Sequence, residues 1–321
     1  MRKILVPFMI VALLGFAQGA PAQAFPSKPI RLIVPFPAGI GALDLLSREV
    51  SRRVSESVGQ PVVVENRTGA SGAIGAEAVA RSAPDGYTIL LGTTTTHAIN
   101  PALNPKLSYN PVTDFTPITM LGTEPLVLVV NSSVPANTLQ EFIRLAKSKP
   151  GMSFGSAGNG TPHHLAGETL KSVAGIDVLH VPYKGAIPAL TDVVGGRLQF
   201  MMYSLAAVEA HVKAGKLRQL AIATASRVPG VYLPTFAESG YPGFEFVSWY
   251  AIFGPAGMPE AVVSRLHAEI VKALATQDLR ERLQKQSVTV VGSSPAELGA
   301  HVRTELARWT NVAKSTGIKV D

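Results

Sequence analysis

Two glycine-rich stretches hold the residues best suited to chemistry: FGSAGNGTPHHLAGE at 154–168 and PFPAGIGALD at 35–44. Each follows a short apolar run and leads into an amphipathic one, so each reads as a strand, a tight turn and a helix N-terminus. The unpaired N–H groups and the positive dipole end at such a place attract an anion, worth ~0.3–1 kcal/mol at an exposed site. That strength suits a single carboxylate. Ser156 and Thr161 add hydroxyl donors to one stretch; Gly39 and Gly41 free the backbone of the other, where Asp44 reads as the helix cap. A nucleotide phosphate fits neither. Gly155 and Gly160 have the spacing of G-x-x-x-x-G-K-[ST], but Thr161 stands where the lysine belongs. After Gly158 and Gly160, the third glycine of G-x-G-x-x-G is His163. Taken alone, 154–168 also reads as a plain strand-to-helix connection. A third stretch, GTTTTHAIN at 92–100, presents four consecutive threonines. They make a poor helix and a good wall of hydroxyl donors, although each can equally satisfy its own loop.

No catalytic constellation emerges. His163 and His164 are adjacent, so a helix turns them about 100° apart, and His97, His180, His211, His267 and His301 lack ligand spacing. There is no G-x-S-x-G elbow and no cysteine nucleophile. Asp44 and Glu168 read as helix residues rather than paired strand-end acids, and a Ser156/His163 pair lacks an orienting acid. The expectation is binding without turnover, with no cofactor and no metal.

The elements that must position these loops alternate. IRLIVP (30–35), PVVVE (61–65) and YTILL (87–91) read as buried strands, with helices over 43–58 and 74–82 between them. Further strands are expected at 126–131, 152–154, 178–181, 198–202 and 220–224, with helices over 139–148, 162–174 and 187–194. After a strand at 249–253 come two long helices. One carries Val263, Leu266, Ile270 and Leu274; the other is opened by Ser294-Pro295-Ala296-Glu297, a capping box with proline at the first helical position. The pattern predicts an α/β chain of two lobes, each a mixed, mostly parallel sheet flanked by helices, with the ligand cleft between them. Residues 25–123 and 248–321 would form one lobe and 124–247 the other. The two glycine loops then come from opposite lobes and lie at the carboxyl ends of their strands, where open α/β sheets bind ligands.

The bulk properties narrow the partners. The chain has 321 residues and a net charge of +7, but its basic residues are scattered without an aromatic stripe, which disfavours nucleic acid. Arg2 and Lys3, an apolar run from Ile4 to Phe16 and Ala22-Gln23-Ala24 read as a signal peptide over 1–24, so the mature chain is expected to be secreted or periplasmic. Without cysteine, neither disulfides nor a cysteine-linked lipid are available. No later segment is apolar enough to span a bilayer, so a soluble monomer is expected.

Over essentially the whole mature chain the motifs resemble one family. They are FPSKPIRLIVPFPAG, GQPVVVENRTGASGAIGAEAVA, PDGYTILLGTTTTHAINPAL, DFTPITMLGTEPLVLVV, FGSAGNGTPHHLAGE, VPYKGAIPALTDVVGGRLQFMM, AGKLRQLAIAT and ESGYPGFEFVSWYAIFGPAGMP. The chain resembles the Bug family of periplasmic solute-binding proteins, the receptors of tripartite tricarboxylate transporters. The resemblance implies a type II periplasmic-binding-protein fold. It implies capture of a small organic acid by lobe closure, without catalysis, and delivery to membrane permease subunits. It also implies that Phe36, Pro37, Ala38 and Gly39, with Ser156, Ala157, Gly158 and Thr161, hold the ligand carboxylate through backbone groups and ordered water. Thr93, Thr94, Thr95 and His97 would line the cleft between them. Two departures stand out. Relatives read PFPxGG followed by a small residue, Thr and Asp, whereas here Ile40 interrupts the glycine pair and Asp44 comes one residue late. Many relatives carry aspartate after the strand matching LQFMM, where this chain has Tyr203. A ring and a neutral hydroxyl in place of that charge predict a carboxylate ligand without an amino group, aromatic acids included. A sensor that presents its ligand to a signalling partner, or a hydrolase on the same scaffold, are the rival readings.

Overall fold

The computed structural model describes residues 25–39 and 41–316, so the proposed signal peptide at 1–24, Ile40 and the last five positions lie outside the described residues. The chain runs β1 (Ile30–Val34), α1 (Gly41–Val58), β2 (Val62–Asn66), α2 (Ala73–Ala80) and β3 (Thr88–Thr93). A π-helical turn at Thr95–Ile99 then leads into the short α3 (Asn100–Leu103) and the long β4 (Phe115–Asn131). Next come α4 (Leu139–Ser148), β5 (Met152–Ser156), α5 (Pro162–Ala174), β6 (Val178–Pro182), α6 (Ala186–Val194), β7 (Phe200–Ser204), α7 (Leu205–Lys213) and β8 (Leu217–Ile222). The chain returns through β9 (Val247–Pro255), α8 (Glu260–Leu274), α9 (Gln277–Lys285), β10 (Thr289–Val290) and α10 (Pro295–Thr316). Among the described residues no helix is long and apolar enough to cross a membrane.

The strands join in the order β2-β1-β3-β9-β4-β7-β5-β6, with β8 and β10 also paired to β4. This is the two-lobed α/β arrangement expected from the sequence, and β4 builds both halves. Its first part, 115–125, pairs with β9; its second, 126–131, pairs with β7 and β8. Parallel ladders are confined to the outer strands, β2-β1-β3 on one side and β6-β5-β7 on the other. Every ladder of β4 and β9 is antiparallel. These two strands carry the chain across in opposite directions, so each half is mixed rather than mostly parallel.

The helices form for local reasons. α1 buries Leu43, Leu46, Val50 and Val54, the 3- and 4-residue spacing of one helix face. At the start of α10 the Ser294 hydroxyl accepts the Glu297 N–H at 3.2 Å while the Glu297 carboxylate accepts the Ser294 N–H at 2.8 Å, the capping box read from the sequence. Ser294→Ala is therefore expected to lower unfolding free energy by ~1 kcal/mol, measured by urea denaturation, with ligand affinity unchanged because the cap is remote from the cleft.

Several expectations change. Asp44 does not cap α1: it lies inside the first turn and its carboxylate holds Arg48 at 2.9 Å. From Thr94 on the threonine run is helical, because burial of 95–99 overrides the weak helix propensity of threonine. Residues 115–125, outside every expected strand, extend β4; register shifts beside Pro117 and Met120 absorb the irregularity of a strand that carries prolines. The helices α7 and α9 had no counterpart in the sequence reading.

Candidate functional site

The carboxyl ends of β1, β3 and β5 open on one cavity of about 590 Å³. Phe36 and Pro37 reach it from the first glycine loop, Thr93, Thr94 and Thr95 from the end of β3, and Ala157, Gly158 and Thr161 from the second loop. Tyr203 closes it from β7. The predicted loops therefore meet, although they come from opposite halves of the sheet. A larger concavity of about 970 Å³ is lined by Pro229, Tyr232 and Arg280 among others and by none of these loops.

The turn that binds its own atoms defines the second loop. Gly158, at φ 123, donates its N–H to Ser156 Oγ at 3.1 Å, and its carbonyl accepts from both Ser156 Oγ at 3.1 Å and Thr161 Oγ1 at 2.8 Å. Thr161 caps α5 by accepting the His164 N–H. Ser156 and Gly158 thus use on each other the donors expected to face a ligand, and Ser156, fully buried, turns away from the cavity toward His180 Nε2 at 2.7 Å. Ala38 and Gly39 are exposed at the rim and do not line the cavity. In the first loop the Phe36 carbonyl is fixed by Asn66 Nδ2 at 2.7 Å.

His97 is the clearest correction. It is fully buried behind the threonine wall, stacked on Phe253 with centroids 3.9 Å apart, its Nδ1 at 2.9 Å from Thr96 Oγ1. Desolvation pushes its pKa down to about 3, so it is a neutral core histidine. The π-helical turn swings its side chain inward. The threonines beside it face the cavity: Thr93 Oγ1 accepts the Thr96 N–H at 3.4 Å and Thr94 Oγ1 the Trp249 N–H at 2.8 Å, so each hydroxyl keeps its own hydrogen to give.

Other cleft residues escaped the sequence reading. The turn Thr68–Gly72 forms one wall. There Ala70 and Ser71, at φ 45 and 52, adopt left-handed backbone that non-glycine residues hold only under constraint, as ligand clamps often do. Ser71 Oγ reaches the Asn159 carbonyl at 3.3 Å, a contact between the two halves. The signal for this turn in the sequence is TGASG, residues 68–72. His163 lines the cavity beside Tyr203, ring centroids 5.2 Å apart, and burial pushes its pKa down to about 4. On the floor, Glu124 of β4 accepts from Tyr250 Oη at 2.5 Å and from the Ser204 hydroxyl.

The fold also brings together groups that spacing kept apart. His164, Glu168 and His180 place ligand-type atoms within 4.8 Å of one another. The two imidazoles are stacked, however, with centroids 4.0 Å apart and planes 22° from parallel. Their in-plane lone pairs lie in separate layers instead of converging on one point ~2 Å away, as a metal requires. One nitrogen of each is already bonded, His164 Nδ1 to the Gly160 N–H and His180 Nε2 to Ser156. The Ser156–His180 pair has the atoms of a nucleophile and base, but the serine oxygen is sealed under its own loop and holds the Gly158 N–H.

Residues 46–318 match the model of the family described as "Tripartite tricarboxylate transporter family receptor". The chain is similar to protein BugT of Bordetella pertussis, 36% identical over 324 residues covering 99% of this chain and 98% of that protein. It is similar to the structure of Rpa4515 of Rhodopseudomonas palustris with adipate, at a TM-score of 0.85 and 37% identity over 92% of this chain and 99% of that one. It is likewise similar to MatC of the same organism with bound malate, at a TM-score of 0.82 and 33% identity over 90% and 99% of the two chains.

Proposed function

The chain belongs to the tripartite tricarboxylate transporter receptor family, and on that premise we propose that it captures a small organic carboxylate in the periplasm and hands it to the permease subunits of such a transporter. It does so as a monomer and without chemical change to the ligand. One observation carries the reading: two glycine loops from opposite halves of the sheet converge on a single cavity whose far wall offers hydroxyls rather than fixed charge. A helix N-terminus supplies the attraction for a carboxylate, and uncharged donors let the ligand leave again. The relatives with adipate and malate support the same ligand class. The two lobes, residues 25–123 with 248–321 and residues 124–247, close about β4 and β9 as a hinge, a population shift toward the form in which both loops touch the ligand.

The ligand lacks an amino group. Tyr203 presents a ring and a hydroxyl to the cavity, and burial beside Glu124 pushes its pKa up to about 12, so it stays neutral. The test is a thermal-shift screen of mono-, di- and tricarboxylates, each with an amino-bearing counterpart. A ligand at a hundredfold excess over its Kd should add ~2.7 kcal/mol of stability. Tyr203→Asp should shift preference toward the amino-bearing member of a pair by about tenfold, ~1.4 kcal/mol. An unchanged preference would count against Tyr203 as the discriminating residue, and release of an altered acid would overturn the receptor reading in favour of an enzyme.

A further inference from the structure

Glu124 sits on the cleft floor where β4 passes from one half of the sheet to the other, and it is only 6% exposed. Ser204 donates to Oε1 and Tyr250 to Oε2, so two hydroxyls fix the carboxyl plane. Nothing cationic completes the arrangement: among the described residues no ion pair includes Glu124. The groups facing this part of the cleft are few. β7 contributes Tyr203 and Ser204, β9 contributes Ser248, Trp249 and Tyr250, α5 contributes His163, and α7 contributes Ala207. Lys184, after β6, is exposed at the rim. Burial keeps Tyr203, Tyr250 and His163 uncharged near neutrality and pushes Glu124 itself up. A buried carboxylate with no counter-ion is heavily penalised, and an anionic ligand entering the cleft adds to the penalty.

We propose that Glu124 meets the captured acid in its neutral form, donating its own O–H to a ligand oxygen, and is thereby a specificity-determining residue for an acceptor group at the end of the ligand remote from the glycine loops. Ser204 and Tyr250 donate into the carboxyl lone pairs, which leaves the acid proton for the cleft. This rests on the receptor reading above and adds a consequence to it: capture of the anion is linked to retention of one proton.

The experiment measures adipate binding by calorimetry, with wild type and Glu124→Gln, from mildly acidic to alkaline pH. In wild type, affinity should weaken with rising pH, approaching tenfold per pH unit above the pKa of Glu124. In the variant, which cannot lose that proton, affinity should stay constant within about twofold over the same range. Equal slopes in the two proteins overturn the proposal. So does tighter binding of 2-aminoadipate than adipate by wild type that is lost in Glu124→Gln, since that is an ionised Glu124 gripping an ammonium. Infrared difference spectra of the ligand-free proteins separate this proposal from the receptor reading. A protonated-carboxyl carbonyl band at neutral pH that disappears in Glu124→Gln supports a neutral Glu124 even where adipate fails to bind. Carboxylate bands in its place refute it.

Discussion

Gly167→Val is expected to destabilise the protein by on the order of 3 kcal/mol, lowering Tm by about 5 °C. Gly167 lies inside α5, where glycine ordinarily costs about 1 kcal/mol relative to alanine. Its reason is Phe154. A Cβ at position 167 would stand 2.1 Å from Phe154 Cε2 and 2.6 Å from its Cζ, closer than carbon atoms approach. The ring cannot step aside. Phe154 is fully buried, stacked on Phe200 at 5.4 Å and tilted against His180 at 4.9 Å, and Phe200 is held in turn by Phe142 at 4.9 Å. A larger residue at 167 must lift α5 from the sheet. Affinity should fall with stability, because β5 leads from Phe154 into the second glycine loop. The check is a double-mutant cycle by urea unfolding. Phe154→Leu makes room, so the pair with Gly167→Ala should be more stable than the sum of the single effects by at least about 0.5 kcal/mol. Strict additivity would mean that the helix does not owe its close approach to this glycine.

The helices at 139–148 and 162–174 were readable to the residue, because periodicity, a threonine cap and a C-terminal glycine agree locally at the second. The convergence of the two glycine loops was legible too, as strand-turn-helix units with no phosphate lysine. What stayed hidden was set by partners far along the chain. Glu124 carries no local sign of its setting, since its hydroxyl partners Ser204 and Tyr250 are 80 and 126 residues away. The inward turn of Ser156 depends on His180, 24 residues on and one strand over. His97 was misplaced because a lone histidine after four threonines carries no sign of which way a π-helical turn will point it. Tyr203 lines the cavity, but only the fold puts a buried carboxyl beside it.

Gly158→Ala is expected to weaken ligand binding by about 10- to 100-fold with a comparatively small loss of stability. Gly158 holds φ at 123, backbone that a side chain makes costly by ~1–3 kcal/mol. An added Cβ would also meet the Tyr183 carbonyl at 3.2 Å, so the neighbouring loop must give as well. The residue is the node of the turn, bonded through its N–H to Ser156 and through its carbonyl to Ser156 and Thr161. The variant can relieve the strain by abandoning this turn. The loop shape that presents the start of α5 to a carboxylate then becomes a minor population, and apparent affinity falls by that fraction. A penalty of 1–3 kcal/mol corresponds to roughly 5- to 150-fold. Gly151→Ala is the control. Its φ of 87 is also left-handed, nothing lies within 4 Å of the added carbon, and it is absent from the cleft wall. It should cost stability of the same order and leave affinity alone. Calorimetric titration of both variants with one ligand separates the cases: an equal loss in both would assign the effect to general destabilisation, whereas loss confined to Gly158→Ala ties ligand capture to the shape of that single turn.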